Sequence, residues 1–238
     1  TGGSAIGANS LAEHGRIAEY VVSTITDWVH GEFAKSGRTR ANLMAVLSAL
    51  YKFAPNPVGQ AKLARESGLS NNTVAKGYIE LLSDLMILYP AFPYDPDKKI
   101  TLFKKECKFH FTNVFFALCM HPQKPRSIDE LKSLPPTIFA PILEWIVAQE
   151  IWRQSCIANL DLDFLNFWQT SNHEIDFVIP DRDLWLEVKS GQEQITNFLW
   201  FTQQLFNNQI LTVINQAKFD SKRIRGITLT DFMLSKLY

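Results

Sequence analysis

The sequence predicts a mixed α/β protein, with a helical first half and a second half in which helices and strands are interleaved. Two observations carry this prediction. Apolar residues recur at helical spacing over most of residues 10–88, and short β-rich runs lie between helical patterns over residues 137–215. The length of 238 residues suits one large domain or two small ones, and 46% hydrophobic with 20% charged residues is the composition of a globular protein.

The first helix is predicted to begin at Ser10, because SLAE at 10–13 has the form of a capping box. Apolar residues then recur at helical spacing as far as Val29. A second helix follows the polar run KSGRTR at 35–40 and ends before Pro55. Its predicted core positions are Leu43, Val46, Leu47, Leu50 and Phe53.

The opening residues contain a near-match to a phosphate-binding loop. GGSAIGAN at 2–9 has the glycine spacing, but Ala8 and Asn9 stand where that loop needs Lys and Ser or Thr. We therefore predict a turn here and no ATP hydrolysis by this chain alone. Because the chain opens without Met, we also expect it to be a piece of a longer protein.

A helix-turn-helix is predicted over residues 58–88. A short helix, the glycine-containing turn ESGLS and a longer helix capped by Ser70 follow one another there. After a proline-rich loop, ITLFKKECKFHF at 100–111 has the composition of one or two strands. A helix-turn-helix followed by a strand pair is typical of a winged helix.

The second half begins after HPQKPRSIDELKSLPP at 121–136, a polar and proline-punctuated run that we predict to be a domain boundary. The order α, β, β, β, α, β that follows predicts an α/β layer with a mixed sheet. Its predicted elements are a helix over 138–154, a strand over 163–170, a hairpin over 174–188, a helix over 194–208 and a buried strand over 210–215.

The hairpin HEIDFVIPDRDLWLEVKSG at 173–191 carries unusually many charges for a core element. If PDRD at 180–183 is the loop, the register places Asp176 opposite Glu187 and Glu174 opposite Lys189. Side chains alternate along a strand, so these four share one face. The other face is predicted to be the core face, with Ile175, Phe177, Leu186 and Val188.

Opposed carboxylates repel, and either a proton held at raised pKa or a cation between them relieves the repulsion. Mg²⁺ takes oxygen ligands and is often held by one or two carboxylates. Lys189, two residues past Glu187, could orient a water or neutralise a phosphate, as metal-assisted phosphodiester hydrolysis requires. The same residues also fit a solvated Glu174–Lys189 ion pair, and a register slip of one residue would separate Asp176 from Glu187.

EIDFVI followed by WLEVKSG resembles the D-x(n)-E-x-K signature of restriction-endonuclease-like nucleases, the PD-(D/E)XK superfamily. SNNTVAKGYIELLSDLMIL, KFHFTN, LEWIVAQEIWR and then this signature occur in the order seen in predicted bacterial and archaeal AAA+ ATPases. In that family a winged helix and a restriction-endonuclease-like domain follow the ATPase module. The resemblance covers roughly residues 15–215. It implies a helical segment at 1–36, a winged-helix domain at 37–123 and a nuclease-like domain at 124–238.

By that resemblance, Asp176 and Glu187 would bind Mg²⁺ or Mn²⁺, with the carbonyl of Val188 as a third ligand. Lys189 would orient the attacking water or stabilise the phosphate. Glu144, on the helix that precedes the strands, would complete the acidic cluster, with Glu150 as the second choice. The main departure from the family is the missing ATPase half, so ATP would be used only by a module outside these 238 residues.

DNA is the partner implied for the helix-turn-helix, because the start of its second helix enters the major groove in such proteins. The residues presented there would be Asn71, Asn72, Thr73 and Lys76. Lys98, Lys99, Lys104, Lys105 and Lys108 form a basic cluster that could follow a phosphate backbone. Against this, Glu66, Glu80 and Asp84 dilute the charge, and winged helices also bind proteins.

The whole-chain composition limits the function further. The formal net charge is zero, so binding of nucleic acid must rely on local patches. Three widely spaced cysteines without a CxxC pair predict a reduced protein of the cytoplasm, and no run is apolar enough to cross a membrane. Two functions therefore stand side by side: a metal-dependent endonuclease, or a non-catalytic adaptor that keeps the nuclease fold and binds DNA or a protein.

Overall fold

A computed structural model describes residues 4–160, 162–204 and 209–237, and it confirms a mixed α/β chain with a mixed sheet. The chain divides into two compact units, Thr1–Tyr89 with Lys108–Phe139, and Pro90–Cys107 with Ala140–Tyr238. The predicted domains at 1–36, 37–123 and 124–238 stay a prediction. The first 36 residues share a unit with the helix-turn-helix, and Pro90–Cys107 belongs to the second unit. Two predictions fall partly outside the described residues. These are the turn at 2–9, through Gly2 and Gly3, and the helix at 194–208, through residues 205–208.

The first unit opens on helix α1 (Ala5–His14), where Ser4 caps the helix by accepting the Gly7 amide at 3.1 Å. The turn predicted at 2–9 is therefore wrong from Ala5 onward. The capping box at Ser10 is also wrong, because Ser10 lies buried inside α1. Its hydroxyl donates to the Arg16 carbonyl and accepts the Ala18 amide, at 2.9 and 2.8 Å. These bonds fix the entry to helix α2 (Glu19–Lys35).

Residues 58–88 contain a short and a longer helix joined by a turn, as predicted, namely α4 (Gln60–Glu66) and α5 (Asn72–Asp84). Both pack with α3 (Arg40–Phe53). Gly68 makes the turn between α4 and α5 in the left-handed region, with φ +63°. The cap of α5 is Asn71 and not Ser70, since Asn71 Oδ1 accepts the Val74 amide at 2.9 Å. Four of the five predicted core residues of α3 are buried, namely Leu43, Val46, Leu47 and Leu50.

The strand region after α5 contributes to both units. Strand β1 (Leu88–Asp95) pairs antiparallel with β2 (Ile100–Thr101), and β3 (Lys108–Phe111) also pairs with β1. The predicted basic cluster is divided as a result. Lys108 is only 1% exposed and lies in the first unit, whereas the other four lysines lie in the second. The first unit then continues with α6 (Val114–Met120) and α7 (Ile128–Lys132).

The second unit is built on a sheet behind helix α8 (Pro136–Ile157), which begins in the first unit and is buried on several sides. The predicted order of elements is confirmed, except that residues 195–203 form a 3₁₀ turn and a four-residue helix instead of one long helix. Strands β8 and β9 and helix α10 were not predicted. The elements are β4 (Leu165–Gln169), β5 (Glu174–Ile179), β6 (Leu184–Val188), the 3₁₀ turn (Ile195–Phe198), α9 (Trp200–Gln203), β7 (Ile210–Ile214), β8 (Phe219–Asp220), β9 (Ile224–Ile227) and α10 (Leu229–Leu234). None of the helices in the described ranges is long and apolar enough to cross a membrane.

The strand order of this sheet is β2-β1-β4-β5-β6-β7-β9-β8. β4, β5 and β6 are antiparallel, and β6, β7 and β9 are parallel, so the β5–β6 hairpin is central. Apolar cores cover both of its faces. Phe177 and Leu186 pack with Val147 and Ile151 of α8 on one side. The other side packs Val178 and Trp185 with Phe198 and Phe201.

Candidate active site in the second unit

The register predicted for the β5–β6 hairpin is confirmed. Ile179 pairs with Leu184, Val178 with Trp185 and Phe177 with Leu186. The pairing ends at Phe177, so the predicted opposition of Asp176 and Glu187 stays a prediction. The loop is a 3₁₀ turn over Pro180–Arg182 that closes with Asp183 at φ 51°.

A β-bulge in β5 changes the predicted assignment of faces. Between the pairs Asn166–Val178 and Trp168–Ile175, β4 advances by two residues and β5 by three. The extra residue of β5 falls at Asp176–Phe177. Ile175 consequently packs with Val178 and Trp185, so its predicted place beside Phe177 is wrong. Bulges re-aim side chains and are frequent beside active sites, and this one lies at the candidate metal ligand Asp176.

The two carboxylates of the candidate site are buried, with Asp176 and Glu187 each 4% exposed. Asp176 Oδ2 accepts a hydrogen bond from the Val188 amide at 2.9 Å. Glu187 Oε1 lies 2.5 Å from the Nζ of Lys189, which is two residues farther along the chain. The second oxygen, Glu187 Oε2, is buried and has no hydrogen-bond partner within the part of the chain that the structure describes.

The charges of this cluster act on each other. Burial raises the pKa of Glu187 to about 8, and the charge of Asp176 adds to the rise, while Lys189 opposes it and Glu174 contributes in the same direction as Asp176. For Lys189, burial alone would lower the pKa. The charges of Glu187, Asp176 and Glu144 outweigh burial, so the pKa of Lys189 is raised. The charges of Asp176, Glu187, Lys189, Glu174 and Glu144 thus influence the pKa values at this site.

Helix α8 carries two buried glutamates, and they have different surroundings. Glu150 accepts hydrogen bonds from Arg153 and from Gln154 Nε2, the latter at 2.7 Å. Burial would raise the pKa of Glu150, but these bonds and the Arg153 charge lower it overall. Glu144 instead acts on Lys189. The first choice, Glu144, is buried, and its charge contributes to the raised pKa of Lys189, whereas the second choice, Glu150, forms hydrogen bonds within α8.

The side chains of the site determine whether it could hold a divalent metal ion. Within residues 4–160, 162–204 and 209–237, no group of three or more His, Cys, Asp or Glu side chains is arranged to hold a metal ion. The donors on hand are the two carboxylates of Asp176 and Glu187, and one buried oxygen of Glu187 has no partner. Two buried carboxylates whose charges act on each other, one of them with a spare oxygen, fit a hard divalent cation such as Mg²⁺, which often keeps several waters as ligands.

One residue of this region was missed from the sequence. Asn215 directly follows β7, the parallel neighbour of β6, and is 4% exposed. Its side chain contacts the backbone of the segment that follows Lys189. The sequence does show a polar residue, Asn215, at the end of a buried strand. It does not show which segment the side chain of this residue would contact.

The predicted nucleic-acid-binding residues lie in the first unit, at the start of α5. Asn71, Asn72, Thr73 and Lys76 are all exposed. Asn71 uses its side-chain oxygen to cap α5, and Lys76 forms an ion pair with Glu80 at 3.1 Å. Base contact by the Asn71 oxygen would therefore compete with the cap, whereas Asn72 and Thr73 carry no such role.

The chain has also been compared with known proteins. No protein-family model, no curated protein and no solved structure matches it.

Proposed function

We propose that the second unit is a metal-dependent nuclease-like domain that hydrolyses phosphodiester bonds in DNA, in the C-terminal part of an AAA+-type ATPase. The observation that carries this proposal is the burial of Asp176 and Glu187 together beside Lys189. Burying mutually repelling carboxylates costs stability unless a proton or a cation compensates them. Such an arrangement is typical of a functional site.

Asp176 and Glu187 would hold the metal ion, with the Val188 carbonyl as a further ligand. Mg²⁺ or Mn²⁺, when bound, would supply charge stabilisation for the phosphate and lower the pKa of a bound water. The Val188 amide orients Asp176 through its hydrogen bond. Lys189 would orient the attacking water or neutralise the phosphate, and Glu144 would complete the acidic side of the site.

The topology supports the same proposal. α8 followed by β4, β5, β6, α9 and β7, with the antiparallel strands first and a parallel strand last, fits a restriction-endonuclease-like fold. Helices α3, α4 and α5 of the first unit, followed along the chain by the paired strands β1 and β3, fit a winged helix, although β1 continues into the second unit. The exposed start of α5 would then contact DNA through Asn71, Asn72, Thr73 and Lys76.

A non-catalytic adaptor is the second candidate, and the Lys189–Glu187 ion pair favours it. This pair already compensates one of the buried carboxylates without a metal. A domain that has lost catalysis could keep the fold in this way and bind DNA, or a protein through the winged helix. In that case neither metal affinity nor DNA cleavage would depend on Asp176.

Cleavage of supercoiled plasmid in Mg²⁺ or Mn²⁺ separates the two candidates. We expect the wild-type chain to nick the plasmid, and Asp176→Ala and Lys189→Ala to lose this activity. Lys218→Ala is the matched control, because Lys218 is an exposed lysine of the same unit that pairs with Asp231. Equal cleavage by all four proteins would exclude catalysis at this site. Calorimetric titration with Mn²⁺ should show binding that Asp176→Ala abolishes.

A further inference from the structure

The segment that follows β6 is bound along its length to the segment that follows β7. The Lys189 amide donates to the Ile214 carbonyl at 2.8 Å, which extends the parallel pairing of the two strands. Beyond that point the contacts involve both backbone and side-chain groups. Gln216 donates from Nε2 to the Ser190 carbonyl at 2.9 Å and from its amide to the Gly191 carbonyl at 3.2 Å. The Glu193 amide donates to Asn215 Oδ1 at 3.3 Å.

Asn215 is the buried centre of this contact. Its Oδ1 accepts the amides of Glu193 and Ala217, the latter at 2.8 Å, and its Nδ2 donates to the Val213 carbonyl at 3.2 Å. Its own amide donates to the Ile227 carbonyl of β9 at 2.9 Å. One side chain therefore ties the residues after Lys189 to the central strands, and removing it would leave the part-buried amides of Glu193 and Ala217 without this acceptor.

We infer that Asn215 is a positioning residue for Lys189. This inference rests on the proposed function of the second unit. Lysine has a long flexible side chain, so the position of its ammonium beside Glu187 depends on the backbone that carries it. The Ile214 bond fixes the backbone of Lys189 on one side, and Asn215 fixes the segment that leaves it on the other. Asn215 itself touches no reacting group and acts through this segment.

The chain offers a matched control in Asn197, another asparagine that contacts Glu193. Its Nδ2 donates to Glu193 Oε2 at 2.6 Å, so it binds the side chain and not the backbone, and it is exposed. Asn197→Ala removes an amide of the same size from the same neighbour. It leaves the backbone contacts of residues 189–193 in place.

The experiment compares Asn215→Ala with Asn197→Ala in the full chain. With a DNA oligonucleotide and Mg²⁺, we expect Asn215→Ala to lower kcat about tenfold or more while KM changes little, because a misplaced catalytic group affects the transition state and not substrate binding. Asn197→Ala should match the wild type. A wild-type kcat in Asn215→Ala would overturn the inference.

A second readout needs no activity and separates this inference from the proposed function. Amide hydrogen exchange at Glu193, and acetylation of Lys189 by acetic anhydride read by mass spectrometry, should both become several-fold faster in Asn215→Ala. If the wild type does not cleave DNA, the proposed function fails. The exchange and acetylation rates still show whether Asn215 positions Lys189. Unchanged rates in folded Asn215→Ala would contradict the inference whatever the activity.

Asn215→Asp covers the case in which the alanine variant does not fold. Aspartate keeps the acceptor for the Glu193 and Ala217 amides, but it loses the donor to the Val213 carbonyl and adds a negative charge. We expect exchange at Glu193 and acetylation of Lys189 to stay near the wild-type rates. Fast acetylation of Lys189 with Glu193 still protected would show that the two are not coupled, which would overturn the inference.

Discussion

The backbone amide of Val188 donates a hydrogen bond to Oδ2 of Asp176 at 2.9 Å, so the strand that carries one candidate metal ligand also orients the other. Val188 lies between Glu187 and Lys189, and Asp176 lies in the bulge of β5. The bond joins the two halves of the candidate site across the hairpin. It also means that Asp176 has a structural role separable from its charge.

Replacement of Asp176 by Asn or by Ala separates these two roles. Asn keeps an oxygen for the Val188 amide, whereas Ala leaves that buried donor unsatisfied, at a cost of about 1–3 kcal/mol. We therefore expect Asp176→Asn to unfold in urea at or above the wild-type midpoint and Asp176→Ala well below it. Both should lose Mn²⁺ binding. A destabilised Asp176→Asn would show that the charge itself contributes to the fold.

Glu187 should make stability depend on pH. Its folded pKa of about 8 lies above the ordinary value of 4.5, so the folded chain binds more protons than the unfolded chain between these values. Protonation of Glu187 therefore makes the folded chain most stable below about pH 4.5. The free energy of unfolding then decreases as pH rises towards about 8. Glu187→Gln should gain stability over the wild type as pH rises, on the order of a few kcal/mol at pH 8.

Urea unfolding followed by tryptophan fluorescence at pH 5, 6.5 and 8 measures this difference. Glu80→Gln serves as a control, since Glu80 is exposed on α5. It should show no pH-dependent gain. A constant difference between Glu187→Gln and the wild type across this range would mean that Glu187 is ionised in the folded chain at pH 5.

Glu144 and Glu150 provide a paired test on one helix. Glu144→Gln should reduce cleavage about tenfold or more with little change in stability, because the charge of Glu144 contributes to the raised pKa of Lys189. Glu150→Gln should leave cleavage intact and lower the free energy of unfolding by about 1 kcal/mol, since its partner Arg153 is half-exposed. Rates and urea midpoints of the two variants check this. The reverse pattern would assign the site to Glu150.

The first unit is tested through the salt dependence of DNA binding. If Lys76 contacts a phosphate, Lys76→Gln should reduce the slope of log K against log salt by about 0.9. Lys35→Gln is the matched control, because Lys35 is an exposed helical lysine of the same unit, paired with Glu32 as Lys76 is with Glu80. Fluorescence anisotropy without metal gives both slopes. Equal slopes for the two variants would place the DNA contact elsewhere.

Several features of the fold could be predicted because they depend on local rules. The register of the hairpin was predicted correctly because a four-residue loop and the alternation of side chains leave few pairings for β5 and β6. The apolar stripe of α3 and the order α, β, β, β, α, β follow from periodicity in the same way. Helix starts were less predictable, because Ser4 and Asn71 are as good at capping as Ser10 and Ser70.

By itself, the sequence determined that Asp176, Glu187 and Lys189 would lie together on one hairpin. Only the tertiary structure decided that β5 has a bulge at Asp176, that Lys189 pairs with Glu187, that Glu150 bonds to Arg153, and that Asn215 contacts the segment after Lys189. The physical reason is the sequence distance over which each interaction acts. Turn chemistry and side-chain alternation act over a few residues, whereas the meeting of buried polar groups depends on how helix α8 and strands β4 and β7 pack around the hairpin.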